Sequence, residues 1–199
     1  MISKFASVTT KWLLKSGAIS EEDEEIYEYT AYSLIFGMLP LLLSAIVGII
    51  FGMFAESVFM IIPFILIRKF CGGFHLKSAT VCFFGSLFLI TTFMFFVKYA
   101  LANKYYSVTS WLVTAAALQI FLCSPISSEN RPLERNEYIV FKKISRIIIT
   151  AFVILYVCLL MAGFGKIALP VGFGIILTAL LQLPCVVIGL VKAISNIRA

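Results

Sequence analysis

Two residue types that together perform nucleophilic catalysis lie close together in one short segment of the chain. The only histidine, His75, stands seven residues before Cys82 and four residues after Cys71. A thiol becomes a strong nucleophile when it is deprotonated, and a neighbouring imidazole commonly acts as the base for that step. The segment therefore predicts a Cys–His dyad for acyl-transfer chemistry, with either cysteine as the nucleophile.

Spacing along the chain leaves the choice between the two cysteines open. On one straight helix, His75 and Cys82 share a face but lie about 10 Å apart along the axis, which is too far for proton transfer. A dyad with Cys82 therefore requires non-helical chain directly after His75. Cys71 meets His75 if both lie on one helix at the i, i+4 spacing, but Gly72 and Gly73 between them weaken that helix.

Other interpretations of the same residues are structural or metal-binding. Cysteine behaves as a small apolar residue in many buried positions, and a lone histidine at an interface is usually solvated. Cys71, His75 and Cys82 also present three zinc ligands, although structural zinc sites have four ligands at characteristic spacings. A Ser-His-Asp triad is disfavoured because Asp23 is the only aspartate. We expect neither a metal nor a cofactor.

The elements that hold these residues are predicted to be membrane helices. Of the 199 residues, 61% are hydrophobic and 13% are charged, whereas soluble domains have about 25% charged residues. The six longest stretches without Asp, Glu, Lys or Arg are 31–55, 57–67, 78–97, 105–128, 147–165 and 167–191. About 20 apolar residues span a bilayer as a helix, so only 57–67 is clearly short. The predicted fold class is an all-α integral membrane bundle of six hydrophobic helical segments.

The distribution of positive charge predicts the orientation of the bundle. If the N-terminus is cytoplasmic and all six segments cross, 13 of the 16 Lys and Arg residues lie inside, and Lys98, Lys104 and Lys166 lie outside. This bias follows the positive-inside rule. It also accounts for the net charge of +6 without nucleic-acid binding, which we do not expect. Residues 68–82 then lie at the inner face of the membrane.

Residues 1–30 form a separate amphipathic and acidic region, predicted to be cytoplasmic. Within residues 2–15, Lys4, Lys11 and Lys15 share one face of a helix and apolar residues cover the adjoining faces. This pattern predicts an interfacial helix on the inner leaflet, in contact with lipid. Six acidic residues follow between positions 21 and 28.

The segment around the predicted dyad matches a longer motif, R-x-x-x-G-G-x-H-x(6)-C. Its positions are occupied by Arg68, Gly72, Gly73, His75 and Cys82. This motif resembles that of the accessory gene regulator B family, the membrane endopeptidases of bacterial peptide quorum sensing. A second match is P-x(4)-N-R-P-L at residues 125–133, in which the family usually has lysine in place of Arg131. The length and the amphipathic start are also similar to the family.

The resemblance implies a thiol protease of the bacterial cell membrane, with residues 31–199 as a multi-pass peptidase domain and its active site on the cytoplasmic side. It matches His75 and Cys82 to the catalytic pair, and so chooses Cys82 over Cys71. The implied substrate is a small propeptide with an acidic C-terminal tail. The enzyme removes the tail, and the substrate's own thiol or hydroxyl attacks the acyl-enzyme thioester to close a thiolactone or lactone.

Further residues are expected to bind the substrate or support the oxyanion. They are Arg68, Gly72, Gly73, Lys77, Asn130 and Arg131. The cations assigned to the loop before the fifth segment are expected to attract the acidic tail, with anionic lipid as the alternative partner. They are Arg131, Arg135, Lys142, Lys143 and Arg146.

Two alternatives concern assembly and function. Gly48 and Gly52 form a G-x-x-x-G motif, which indicates either a homodimer, as the family resemblance favours, or close packing within one bundle. The alternative function is a non-enzymatic membrane transporter or adaptor for a peptide, with Gln119 and Gln182 lining a path. The long stretches contain no charged residue of the kind that coupled transporters often use.

Overall fold

The computed structural model describes residues 2–72, 79–126 and 135–198, and the regular structure in these ranges is helical. The α-helices are α1 (Ile2–Lys15), α2 (Glu24–Phe51), α3 (Phe54–Cys71), α4 (Ala79–Ala102), α5 (Tyr106–Cys123), α6 (Arg135–Met161) and α7 (Gly165–Arg198). Each of the six charge-free stretches falls largely on one of the helices α2 to α7. The all-α prediction is therefore confirmed for the described residues.

Five helical segments are long and apolar enough to cross a membrane. They are Glu21–Phe51, Thr80–Ala102, Tyr106–Cys123, Asn136–Met161 and Gly165–Gly189. Helix α3 is not among them, because its 18 residues include Glu56, Arg68 and Lys69, and charged side chains are costly in hydrocarbon. The chain is thus a multi-pass helical protein with five candidate spans, and the predicted count of six is not confirmed.

The short second stretch belongs to a longer helix. Helix α3 begins at Phe54, ahead of Glu56, and ends at Cys71, so its 18 residues extend over about 27 Å. The helix therefore includes the residues around Glu56, which the charge-free stretch 57–67 leaves out. Residues 73–78, between α3 and α4, lie outside the described residues.

The chain divides into two compact units, Met1–Leu42 and Leu43–Ala199. In the first unit, a 3-10 turn at Glu21–Asp23 precedes α2. There the Ser20 hydroxyl donates a hydrogen bond of 2.7 Å to the Asp23 carboxylate. Helix α1 covers the residues predicted to be helical, and its position on the inner leaflet stays a prediction.

Helix α7 is central in the second unit. It packs against α3, α4, α5 and α6, and half of its candidate span is buried, compared with a quarter or less for the other four spans. Side chains from α3, α5, α6 and α7 form one buried apolar cluster, which includes Ile67, Val113, Ile149, Tyr156 and Ile175. Burial of this cluster holds α3 against α7 and so determines where the C-terminal end of α3 lies.

The two glycines of the G-x-x-x-G motif have separate roles within the chain. A Cβ at Gly48 would overlap the Ser57 hydroxyl of α3, so this glycine allows α2 and α3 to pack closely. Gly52 lies beyond the end of α2 with a φ of +66°, and it turns the chain between the two helices. The interpretation as close packing within one bundle is supported at Gly48, and the motif no longer argues for a homodimer.

Gly174 allows α7 to approach the backbone of α3. A Cβ at this position would overlap the Met60 carbonyl oxygen and lie 2.7 Å from the Pro63 ring. Because a backbone atom cannot move aside cheaply, we expect Gly174→Ala to lower the free energy of unfolding by about 2 kcal/mol. Thermal unfolding of the full chain in detergent measures this change.

The matched control for that variant is Gly189→Ala on the same helix. A Cβ at Gly189 meets nothing within 4 Å, and alanine is the better helix former by about 1 kcal/mol. We therefore expect Gly189→Ala to unfold at the wild-type temperature or above it. Equal unfolding temperatures for the two variants would contradict the packing argument.

Candidate active site

Gly72 directly follows the last residue of α3 and has a backbone conformation that requires glycine. Its φ of 70° and ψ of −165° fall in a region that other residues essentially never occupy. A Cβ at this position would also overlap the Ile126 carbonyl oxygen. The Gly72 N–H donates to the Arg68 carbonyl at 3.1 Å and closes the last turn. Gly72, one of the predicted site residues, therefore has a defined role at the end of α3.

Polar groups from three other parts of the chain bind the last carbonyl groups of α3. The Ser145 hydroxyl of α6 donates to the Phe70 carbonyl at 3.1 Å. The Cys71 carbonyl accepts from the Ile126 N–H at 3.0 Å and from the Gln182 amide of α7 at 3.2 Å. Helix ends leave such carbonyls without partners in the helix, so these bonds fix the end of α3. We call Ile126, Ser145 and Gln182 the α3 clamp.

Cys71 is enclosed by the protein. Its side chain is 0% exposed, and its thiol is within hydrogen-bonding reach of the Ser145 and Ser124 hydroxyls. Buried thiols of this kind react poorly, because a reagent has no access and a thiolate is not solvated. The surroundings of Cys71 therefore fit a packing role better than a nucleophilic one.

Cys82 has different surroundings. It lies in the first turn of α4, which begins at Ala79, and it is half-buried. The Arg68 guanidinium from the last turn of α3 lies within electrostatic range of the thiols of Cys82 and of Cys185 on α7. The structure thus brings together Arg68 and Cys82, which are both predicted site residues.

The predicted base and several of its neighbours lie outside the described residues. They are Gly73, His75, Lys77, Asn130 and Arg131. The Cys–His dyad, the oxyanion support and the tail-binding roles of these residues therefore stay predictions. The zinc alternative also involves His75 and stays open. Within residues 2–72, 79–126 and 135–198, no group of three or more His, Cys, Asp or Glu side chains is placed to hold a metal ion.

Four cations that were assigned to the loop before the fifth segment belong to a helix instead. Helix α6 includes Arg135, Lys142, Lys143 and Arg146. The loop assignment was wrong for them because a charge-free stretch marks the apolar part of a helix, whereas the helix itself continues ahead of it. The Arg146 guanidinium lies 4.8 Å from the centre of the Phe121 ring, a distance at which a cation is attracted to the ring face.

The two glutamines proposed to line a path form hydrogen bonds inside the protein. The Gln119 amide donates to the Ala179 carbonyl at 2.9 Å. The Gln182 amide donates to the Cys71 carbonyl and, at 3.1 Å, to the Ser124 hydroxyl, and its side chain is 0% exposed. These placements do not favour the transporter alternative.

No sequence pattern identifies Ser124, Ser145 or Cys185 as neighbours of the site, and Gln182 was predicted to have a different role. Ser124 directly precedes the second motif, but no local pattern connects it with α3. The bonds between α3 and the clamp residues Ser145 and Gln182 join residues 75 and 111 positions apart. Periodicity and motif spacing report on near neighbours in the chain, so they carry no signal for such contacts.

These observations define a multi-pass helical protein with five candidate membrane spans, in which a cysteine at the start of one helix lies within electrostatic range of an arginine at the end of another. The profile of the accessory gene regulator B family matches residues 6–187. The chain belongs to this family, which takes part in the processing of quorum-sensing peptides. The resemblance drawn from the motifs is confirmed.

Curated relatives agree with this assignment at low identity. AgrB-like protein 1 of Clostridium perfringens strain 13 is 26% identical over 141 residues, which cover 71% of this chain and 74% of the relative. An AgrB-like protein of Clostridium perfringens strain SM101 is 21% identical over 145 residues, which cover 69% and 66%. Protein FsrB of Enterococcus faecalis is 24% identical over 180 residues, which cover 87% and 72%. No solved structure matches the chain.

Proposed function

We propose that this chain is a cysteine endopeptidase of the bacterial cell membrane. It removes the C-terminal tail of a small quorum-sensing propeptide and closes the remaining signal segment into a thiolactone or lactone. The observation that carries the proposal is the position of Cys82, in the first turn of α4 beside Arg68, in a chain of the accessory gene regulator B family. The rival nucleophile, Cys71, is enclosed.

The first half of the reaction transfers the signal segment to the enzyme. His75 takes the proton of the Cys82 thiol, and the sulfur attacks the carbonyl carbon at the junction between signal and tail. Backbone N–H groups after Gly72 or at the start of α4 stabilise the oxyanion, since the Gly72 N–H is itself bonded to the Arg68 carbonyl. The C–N bond then breaks, His75 returns the proton to the amine of the departing tail, and a thioester remains on Cys82.

The second half of the reaction closes the ring. The thiol or hydroxyl inside the signal segment loses its proton to His75 and attacks the thioester carbonyl. The C–S bond breaks, and Cys82 leaves as the thiolate, which recovers the proton. Because the thioester keeps the activation of the acyl group, the step needs no ATP. Cyclisation prevails over hydrolysis when water is scarce and the internal nucleophile is held close, and the half-buried position of Cys82 fits that requirement.

The charge distribution supports a cytoplasmic site and an acidic substrate tail. With the N-terminus inside and α3 counted as a sixth crossing, most of the Lys and Arg residues lie on the cytoplasmic side. The cations of α6 then face the same compartment as Arg68, together with Lys77, Asn130 and Arg131 from the two motifs. A tail with several carboxylates is attracted to such a surface.

A trapped acyl-enzyme tests the proposal. The full chain in lipid vesicles is mixed with a candidate propeptide whose internal Cys or Ser is replaced by alanine, so that no ring forms. The candidate is a small protein encoded beside this gene, with an amphipathic start and an acidic end. After an acid quench, we expect released tail and a chain whose mass has risen by that of the propeptide without its tail, less one water.

Peptide mapping then locates the adduct. The proposal requires it on Cys82, and it requires that the unmodified propeptide yields a cyclic product with little adduct. An adduct on Cys71 or another residue, or tail release by a Cys82→Ala chain at the wild-type rate, would refute the mechanism.

A further inference from the structure

We propose that Gln182 is a positioning residue for Cys82, which holds the end of α3 so that the Arg68 guanidinium stays beside the Cys82 thiol. The inference deepens the proposed function and rests on it for its biological meaning. Its main test measures the reactivity of the thiol itself, however, and gives a result whether or not the chain cleaves a propeptide.

Gln182 joins three parts of the chain through a single amide group. The amide nitrogen donates to the Cys71 carbonyl at 3.2 Å and to the Ser124 hydroxyl at 3.1 Å. The carbonyl acceptor determines which way the amide points, because only the nitrogen end of a glutamine donates. The side chain is 0% exposed, so both hydrogen bonds form away from water, where they are not replaced easily.

On the α3 side, the Gln182 bond ends three residues after Arg68. Residues three apart lie about one helical turn apart on neighbouring parts of one face, so a shift of the Cys71 carbonyl also moves Arg68. The same carbonyl accepts from Ile126, and Gly72 leaves no room for a Cβ against the Ile126 carbonyl. The end of α3 is therefore held tightly, and Gln182 is the member of the α3 clamp that comes from the central helix.

On the α7 side, Cys185 follows Gln182 by three residues. The Arg68 guanidinium lies within electrostatic range of Cys185 as well as of Cys82. Arg68 is therefore the described ionisable group that interacts both with this part of α7 and with Cys82.

The oxygen end of the Gln182 amide gives a second reason to connect Gln182 with Arg68. Its carbonyl oxygen is buried and accepts no hydrogen bond from any described residue. A buried acceptor without a donor costs free energy. We therefore expect this oxygen to accept a hydrogen bond when the enzyme is active. The Arg68 guanidinium of α3 carries N–H groups and interacts electrostatically with Cys185, three residues further along α7, and a bond from Arg68 to this oxygen would hold the guanidinium in place.

The test measures how fast Cys82 is alkylated. The full chain in detergent is treated with iodoacetamide near neutral pH, and the peptide that contains Cys82 is quantified by mass spectrometry, so that the other cysteines do not interfere. Gln182→Met keeps the volume of the side chain but removes both of its polar ends. We expect alkylation of Cys82 to slow by about tenfold, because the Arg68 guanidinium then no longer keeps its place near the sulfur.

A double-mutant cycle shows whether Gln182 acts through Arg68. If it does, Gln182→Met has no further effect in a chain that already carries Arg68→Met, and the two effects are strongly non-additive. We expect Gln182→Glu to slow the alkylation as well, because a carboxylate cannot donate to the Cys71 carbonyl. In propeptide assays, Gln182→Met lowers kcat and changes KM by less than about twofold, since Gln182 does not contact the substrate.

Gln119→Met is the matched control. Gln119 also donates its amide to a backbone carbonyl across a helix interface, at 2.9 Å, but the bond joins α5 to α7 and does not involve α3. We expect this variant to lose a comparable amount of stability while Cys82 is alkylated at the wild-type rate. If Gln182→Met does not give monodisperse protein, Gln182→Asn replaces it, because its amide is too short to reach both acceptors.

Two results would overturn the inference. One is a wild-type alkylation rate for Cys82 in a folded Gln182 variant, and the other is an additive double mutant. A failure of the proposed function has a different signature, namely the expected pattern of alkylation in a chain that never releases a propeptide tail.

Discussion

Cys82→Ala is expected to abolish propeptide processing, with a loss of about ten-thousandfold or more in kcat. Without the sulfur there is no atom to form the acyl-enzyme, and the remaining groups of a nucleophilic site give only residual catalysis. Tail release from the candidate propeptide, followed by mass spectrometry, measures the loss. His75→Ala is expected to reduce processing to a similar level, and the double variant to be no worse than either single one, because the pair acts as a unit.

Cys71→Ala is the matched control for that result. It removes the other cysteine of the same segment, which is enclosed between the Ser145 and Ser124 hydroxyls. We expect it to lower the unfolding temperature, because it leaves a small cavity, while processing stays within about tenfold of wild type. Full processing by Cys82→Ala together with loss in Cys71→Ala would reverse the assignment of the nucleophile and refute the proposed mechanism.

Gly72→Ala is expected to lower processing by about a hundredfold or more and to destabilise the chain. The substitution introduces a Cβ where φ is 70° and ψ is −165°, a strain of about 1–3 kcal/mol, and the same Cβ overlaps the Ile126 carbonyl oxygen. The end of α3 must then shift, and Arg68 shifts with it, because the Gly72 N–H is bonded to the Arg68 carbonyl. Processing assays and thermal unfolding of the same sample separate the two effects.

Gly163→Ala distinguishes a local effect at the site from a general cost of a positive φ. Gly163 lies in the turn between α6 and α7 with a φ of +80°, and a Cβ there meets nothing within 4 Å. We expect it to lose about 1 kcal/mol of stability and to process the propeptide at nearly the wild-type rate. If Gly163→Ala and Gly72→Ala lose the same activity, the role given to the end of α3 is wrong.

Most of the helices could be predicted from the sequence because a bilayer restricts the secondary structure of a chain that crosses it. A long apolar stretch must satisfy its own backbone groups, and a helix does so within one segment. The ends of the helices were harder to predict. Charged residues such as Glu56 in α3 and Arg135 in α6 belong to helices that extend beyond their apolar parts, and charge-free stretches do not show where such helices begin.

Residue types and spacing were sufficient to single out Cys71, His75 and Cys82, and the family resemblance added Arg68 and favoured Cys82 over Cys71. The physical contrast between the two cysteines was not visible in the sequence. Both are cysteines in an apolar chain within a dozen residues of each other, and only the packing of α6 and α7 around the end of α3 encloses Cys71 and leaves Cys82 at the start of α4.

By itself the sequence determined that this is a helical membrane protein of the accessory gene regulator B family, because composition and local motifs are properties of neighbouring residues. The tertiary structure decided how the end of α3 is held, since its carbonyl groups bind Ile126, Ser145 and Gln182, which come from distant parts of the chain. Those contacts arise when buried polar groups find partners as the helices pack together. They are therefore a property of the folded bundle and of no single segment.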